Sequence, residues 1–376
     1  MRQEDSRRLD PNTGAPVLDT MSSAPAPYRR GFFDKLREFT KKNGKKLWWI
    51  HSVYALGLGA LVVAFAQRGF DHARWLAVTV SLAWLLVALF FRLFGSGARQ
   101  ENVEFAQARA RLRFYVMTYV LKNLYQGMLF FLLPFYWKST TLADANAWLL
   151  ITLASCAILS TLDIVFDRVL MKWRILASAF HGITLFGCLN LVTPALFPDT
   201  RTLTSLMVAA GITVVFFWTL HVPLRAMREK WVSALFLATV AAGTGGVYLA
   251  RRVIPPVPMH VASAAVGPQV LQDGRLSMEV KSLHASVIHE LIAVTDVVVP
   301  GGHGDALHHV WRKDGAEVQR WAEDTSRVPG APKGSVRLRS TLTKRDLPAN
   351  LAGAWSVDVE TEDNQLVGRA TFAVVD

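Results

Sequence analysis

The chain has 376 residues, 52% hydrophobic and only 19% charged, with a formal net charge of +12. Residues 1–252 carry 29 Lys+Arg against 14 Asp+Glu, while residues 253–376 carry 12 against 15, so the basic excess lies among the apolar runs. Cations placed that way mark the loops of a membrane protein, which argues against nucleic acid as a partner and names the lipid bilayer instead. The two cysteines, Cys156 and Cys188, both sit inside apolar runs, which excludes a disulfide framework or a CxxC metal pair.

Residues 1–27 are rich in Pro, Ser, Asp and Arg and read as a disordered N-terminal tail. Residues 28–46 follow as an amphipathic interfacial helix, with Phe32, Leu36 and Phe39 at helical spacing and Lys and Arg on the other face. The transmembrane helical domain occupies 47–252. Seven apolar runs of spanning length are expected at 48–66, 75–94, 114–137, 147–166, 175–196, 203–222 and 231–250. The third is the weakest, because Lys122, Asn123 and Gln126 interrupt it. Ala64-Phe65-Ala66 resembles a signal-peptidase site, but the apolar run before it is too long, and an uncleaved first helix is expected.

With the N-terminus in the cytoplasm, the inside flanks carry 19 Lys+Arg and the outside flanks 6. That bias orients the bundle, and an odd number of spans delivers the tail to the other side. The expected location is a bacterial inner membrane with a periplasmic C-terminal domain.

Pro255, Pro256 and Pro258 make residues 253–262 read as a stiff linker. Residues 263–376 then alternate as short strands. GAWSVDVE sets Trp355, Val357 and Val359 on one face, TEDNQ is a turn, and Asp314-Gly315 within HHVWRKDGAEVQRW is a hairpin signal. Six or seven strands in so short a segment imply a small all-β, antiparallel sandwich of Ig-like type, with Trp311 and Trp355 as core anchors. The fold class is therefore an α-helical transmembrane bundle of seven predicted spans followed by that sandwich.

LWWIHSVYALGLG at 47–59 followed by RGFDHARW resembles the opening of a family of bacterial multi-pass membrane proteins of unknown function. The tail resembles a second domain of unknown function found in bacterial envelope proteins. The matching positions are His309 and Trp311, Gly315, Arg339-Ser340 with Lys344, Gly353 and Trp355 with Val357 and Val359, and Phe372 with Val374. An aromatic common in that pattern is replaced here by Thr341. The resemblance implies architecture and location, and it carries no activity.

Among candidate sites, Tyr115, Tyr119, Lys122 and Gln126 share one helix face. Lys122, Asp163 and His181 fall in one half of the bilayer, roughly 12, 5 and 9 Å from its edge at 1.5 Å per residue. Lys122 and Asp163 are expected to pair and so reduce each other's desolvation. The plainer meaning of this cluster is a structural ion pair near the membrane edge; the alternative is a polar cavity for an ion or small solute. Ala238, Ala242 and Gly246 form a small-residue stripe, as do Ala55 and Gly59, which suits helix packing. GGHGDALHH gathers His303, Asp305, His308 and His309, but without a firm zinc spacing, so no metal is expected. No nucleotide, cofactor or catalytic motif stands in a fitting context. The expectation is a non-enzymatic envelope protein presenting a periplasmic sandwich to a protein partner or an envelope polymer. The alternative is a transporter or channel using Lys122, Asp163 and His181.

Overall fold

The structure, a computed structural model, describes residues 57, 74–96, 108–197, 199–269, 271, 276, 280–299, 305–321, 331–332 and 334–376. All of them belong to one compact unit, Ser52–Asp376. The N-terminal tail, the interfacial helix and, but for Gly57, the first expected span lie outside the described residues.

Six long helices form the first part: α1 (Arg74–Phe94), α2 (Ala108–Lys138), α3 (Ala147–Thr161), α4 (Arg174–Leu196), α5 (Thr202–His221) and α6 (Lys230–Leu249). Among the described residues, α1, α2, α4, α5 and α6 are long and apolar enough to cross a membrane. The expectation of seven spans is thus corrected to five straight candidates and one broken one. The run at 147–166 is not continuous: α3 ends at Thr161, and the chain turns by 93° into the short segment Asp163–Leu170. No proline or glycine makes this break. The Ser160 hydroxyl donates to Ala157 O and the Thr161 hydroxyl to Ile158 O, so both compete for carbonyls of the last turn. Leu162 is extended, and Gln126 Nε2 donates to the freed Ser160 O at 3.0 Å. The turn that follows, Phe166–Leu170, is π-helical.

The bundle is packed by rings and indoles. Phe90, Phe94 and Phe114 join α1 to α2 at centroid distances of 5.2–5.4 Å. Trp84 Nε1 donates to Thr219 Oγ1, and Trp218 Nε1 to Thr239 Oγ1. α4 is the most enclosed helix; α6 buries only Val232 and leaves Trp231, Leu235, Leu237 and Leu249 exposed. The expected packing stripe of Ala238, Ala242 and Gly246 is exposed. The close approach on α6 is at Gly243 instead, where a Cβ would come within 2.7 Å of Val214 Cγ2.

The second part is a β domain of eight described strands: β1 (His260–Gly267), β2 (Ser282–His284), β3 (Glu290–Val298), β4 (Leu307–Lys313), β5 (Ala316–Arg320), β6 (Ser335–Thr343), β7 (Gly353–Thr361) and β8 (Leu366–Val375). They form a three-stranded sheet ordered β1-β3-β6 and a five-stranded sheet ordered β2-β8-β7-β4-β5. The two sheets enclose one core, in which Val266, Leu291, Ala293 and Leu342 meet Trp311, Trp355, Val357 and Phe372. The all-antiparallel expectation fails at one edge, where β2 pairs parallel to β8. The β4–β5 hairpin turns through Asp314 and Gly315, with φ of 51° and 84°, the positive values a type I′ turn requires. Gly368 lets β8 pass close to β1, since a Cβ there would come within 2.5 Å of Val261 Cγ2. Ile254 to Met259 are buried, so Pro255, Pro256 and Pro258 belong to the packed junction between the two parts.

Candidate functional site

Two polar constellations stand out, one inside the bundle and one where the β domain meets it. Within the bundle, α2 carries Lys122, Tyr125 and Gln126 on its inward face. Lys122 Nζ forms an ion pair with Asp163 Oδ1 just beyond the helix break. Gln126 caps Ser160 O, as described above. His181 goes elsewhere: its Nδ1 lies 2.7 Å from the Tyr125 hydroxyl and its ring 4.2 Å from that of Phe216. His181 Nε2 is buried without a hydrogen-bond partner among the described residues. The expected cluster thus divides into an ion pair at the break and a separate Tyr125–His181 pair. Tyr115 and Tyr119 are exposed on the same helix, which separates them from the buried Lys122 and Gln126. Tyr125, at three residues from Lys122, was legible in principle from that spacing.

At the junction, Asp305 accepts from the Thr202 backbone N–H at 3.0 Å, and the Thr202 hydroxyl donates to Gln365 Oε1 at 2.8 Å. Arg201 bridges to Glu362 and Asp363, and Arg251 Nε donates to Asp363 O at 2.9 Å. The side-chain oxygens of Asp305, Glu362 and Asp363 lie within 4.8 Å of one another, a donor set hard cations accept. Here Arg201 and the α5 N-terminus supply the positive charge, so the trio acts as a domain clasp. Burial pushes the Asp305 carboxyl above its ordinary value, against the hydrogen bonds from Thr202 that pull it down.

The outer face of the five-stranded sheet carries a ladder of charges that the strand register aligns. Asp358 lies opposite Arg369, and Arg312 opposite Ser356. Arg312 reaches Asp358 at 3.0 Å and Glu360 at 2.9 Å; Arg369 reaches Asp358 and, across the junction, Asp144 at 3.0 Å. Arg320 donates to Glu317 and Asn364, and its Nη2 lies 3.1 Å from Glu360 Oε2, off the line of a hydrogen bond. Hydrogen bonding to Asp358 holds the Arg369 guanidinium above its ordinary value. This ladder walls a groove of about 1040 Å³ between the sheet and the bundle rim, with Arg252 and Lys281 exposed in its lining.

The remaining motif residues are structural by placement. His309 is fully buried, with Nδ1 2.7 Å from Ser340 Oγ and Nε2 2.8 Å from Thr295 Oγ1. Burial pushes its imidazole down to about 3. Trp311 Nε1 donates to the same Ser340 hydroxyl, Trp355 Nε1 donates to Leu351 O, and Phe372 stacks on Trp355 at 6.0 Å. Arg339 and Lys344 are exposed. The arginine that matters for packing is Arg337, buried and paired with Asp296 across the β3–β6 register at 2.7 and 2.9 Å. Asp296 was the lone charge in the apolar run LIAVTDVVV, a signal that it needed a partner. Asp305, His308 and His309 go to three different partners, and His303 lies outside the described residues, so this stretch does not converge on a metal.

No curated protein and no solved structure matches the chain significantly. Residues 305–374 match a domain described as a protein of unknown function (DUF2914). Residues 34–291, well over half of the chain, match a family of unknown function (DUF5924), and the chain belongs to that family.

Proposed function

We propose that this protein is a non-enzymatic membrane anchor whose β domain binds a protein partner or envelope polymer in the groove at the bundle rim. The observation that supports this reading is the groove itself. It is about 1040 Å³, lies at a domain junction where ligand sites concentrate, and has a pre-arranged polar wall with two exposed cations, Arg252 and Lys281. Two facing sheets, paired antiparallel except at β2, support an Ig-like binding module. The excess of cations at one end of the bundle supports a bacterial inner-membrane location with the β domain on the periplasmic side. Reporter fusions after residues 230 and 260 should then read cytoplasmic and periplasmic, and the reverse pattern would refute the orientation. The binding claim is tested by a photoreactive side chain in the full chain in living cells. Position 281 should give a discrete adduct and the exposed position 287 none. Equal labelling, or none from 281, removes the groove from the account.

A second reading, a transporter or channel for a small polar solute or ion, is supported by the helix break beside Lys122 and Asp163. Broken membrane helices accompany ion and solute sites. Solute flux in proteoliposomes that disappears on Lys122→Ala would favour it over the first.

A further inference from the structure

A pocket of about 390 Å³ opens beside the helix break, lined by Tyr115, Val116, Tyr119, Lys122, Asp163 and Asp167. It lies at the end of α3 remote from the β domain, because α3 begins beside Asp144, the partner of Arg369, and ends at the break. The chain after the break exposes Ile164, Val169, Trp173 and Ile175 together with Arg168, the composition of a segment lying at lipid headgroup level. Tyr115 and Tyr119 are 57% and 53% exposed at the same place, where interfacial aromatics belong. The pocket therefore faces the zone in which lipid headgroups move.

Its chemistry is already displayed by the chain. The Lys122 ammonium sits on the Asp163 carboxylate and 5.5 Å from the centre of the Tyr119 ring. A carboxylate beside an aromatic face is the environment that holds alkylammonium ions. The pocket repeats both parts. Asp167 brings a second carboxylate that makes no hydrogen bond or ion pair among the described residues, and Tyr115 brings a second ring one turn from Tyr119. Two carboxylates against one lysine leave the lining one positive charge short. We propose that this pocket binds a second ammonium group, of the kind carried by an aminophospholipid headgroup or by a free primary alkylamine. The site is independent of the groove on the β domain and does not require transport.

The test uses the full-length protein in detergent, equilibrated with an equimolar mixture of phosphatidylethanolamine and phosphatidylglycerol, with retained lipid read by native mass spectrometry. Ethylamine and, as a neutral control, ethanol are added in parallel arms. Phosphatidylethanolamine should be retained roughly five-fold over phosphatidylglycerol, the scale of one such contact. Asp167→Asn and Tyr115→Leu should abolish the preference, while Tyr115→Phe, which keeps the ring, should preserve it. Displacement by ethylamine but not ethanol assigns recognition to the ammonium. Binding of ethylamine without lipid preference assigns the site to soluble amines. No preference and no ethylamine binding overturns the proposal, as does a preference unchanged in Asp167→Asn. Each variant is compared at matched thermal midpoints, so that loss of fold is not read as loss of binding.

Discussion

Asp305, in the segment leading into β4, accepts a 3.0 Å hydrogen bond from the backbone N–H of Thr202, the first residue of α5. The residue that precedes the helix, Arg201, makes no side-chain cap of its own. A membrane helix is therefore capped from the neighbouring domain, and the first-turn donors that a helix leaves unpaired are partly satisfied across the junction. Asp305→Ala should cost about 1 kcal/mol, the usual worth of such a cap. Hydrogen exchange in the first turn of α5 and in the Thr361–Gln365 turn should accelerate together; acceleration in only one of them contradicts coupling.

The Lys122–Asp163 pair makes a different demand. Removing only the lysine leaves a carboxylate in an apolar bundle, which costs about 3 kcal/mol when a buried pair loses one member. Lys122→Met should therefore destabilise the bundle strongly, and adding Asp163→Asn should recover much of the loss. Thermal melts of the two single variants and the double variant provide the cycle. Simple addition of the two single effects would show that the residues do not interact.

His309 links stability to pH. Its imidazole is pushed down to about 3 by burial, while in the unfolded chain it titrates near the ordinary 6.5. Between those values the unfolded chain carries a proton the folded chain lacks. The contribution is complete above the ordinary value and declines as pH falls through the window, by at most about 1.4 kcal/mol per pH unit. Denaturation of the full chain at a series of pH values should show this slope, and His309→Asn should flatten it.

Gly368 is where β8 and β1 pass closely. Gly368→Ala should destabilise the β domain by roughly 1–3 kcal/mol through overpacking. Val261→Ala, which removes the side chain it strikes, should restore most of that loss. Failure of the second change to rescue the first would place the damage elsewhere.

Much of the helical part was legible because spanning length needs only a run of apolar residues. Lys122 and Asp163 were legible because charges in such runs are conspicuous. The break was not, since Ser160-Thr161-Leu162 contains neither proline nor glycine. It depends on hydroxyls turning back along α3 and on Gln126 arriving from another helix, which is a tertiary fact. The junction was hidden for a similar reason: Arg201, Asp305, Glu362 and Asp363 look like ordinary loop charges until folding brings them together. Arg339 drew notice while Arg337 did the pairing, because both stand at the same strand parity and only the partner Asp296 separates them. The parallel edge strand β2 is three residues long, too short to leave a periodic signature.

The sheet β1-β3-β6 draws β1 and β3 from the stretch matched by one family and β6 from the stretch matched by the other. The unit of inheritance is therefore smaller than the unit of folding. A fragment cut at residue 305 would leave β6 as an orphan ribbon and lay Trp311 and Trp355 open to water, so such a piece should aggregate when expressed alone. Any lineage that carries the second segment in a different protein must supply two replacement strands from its new neighbour.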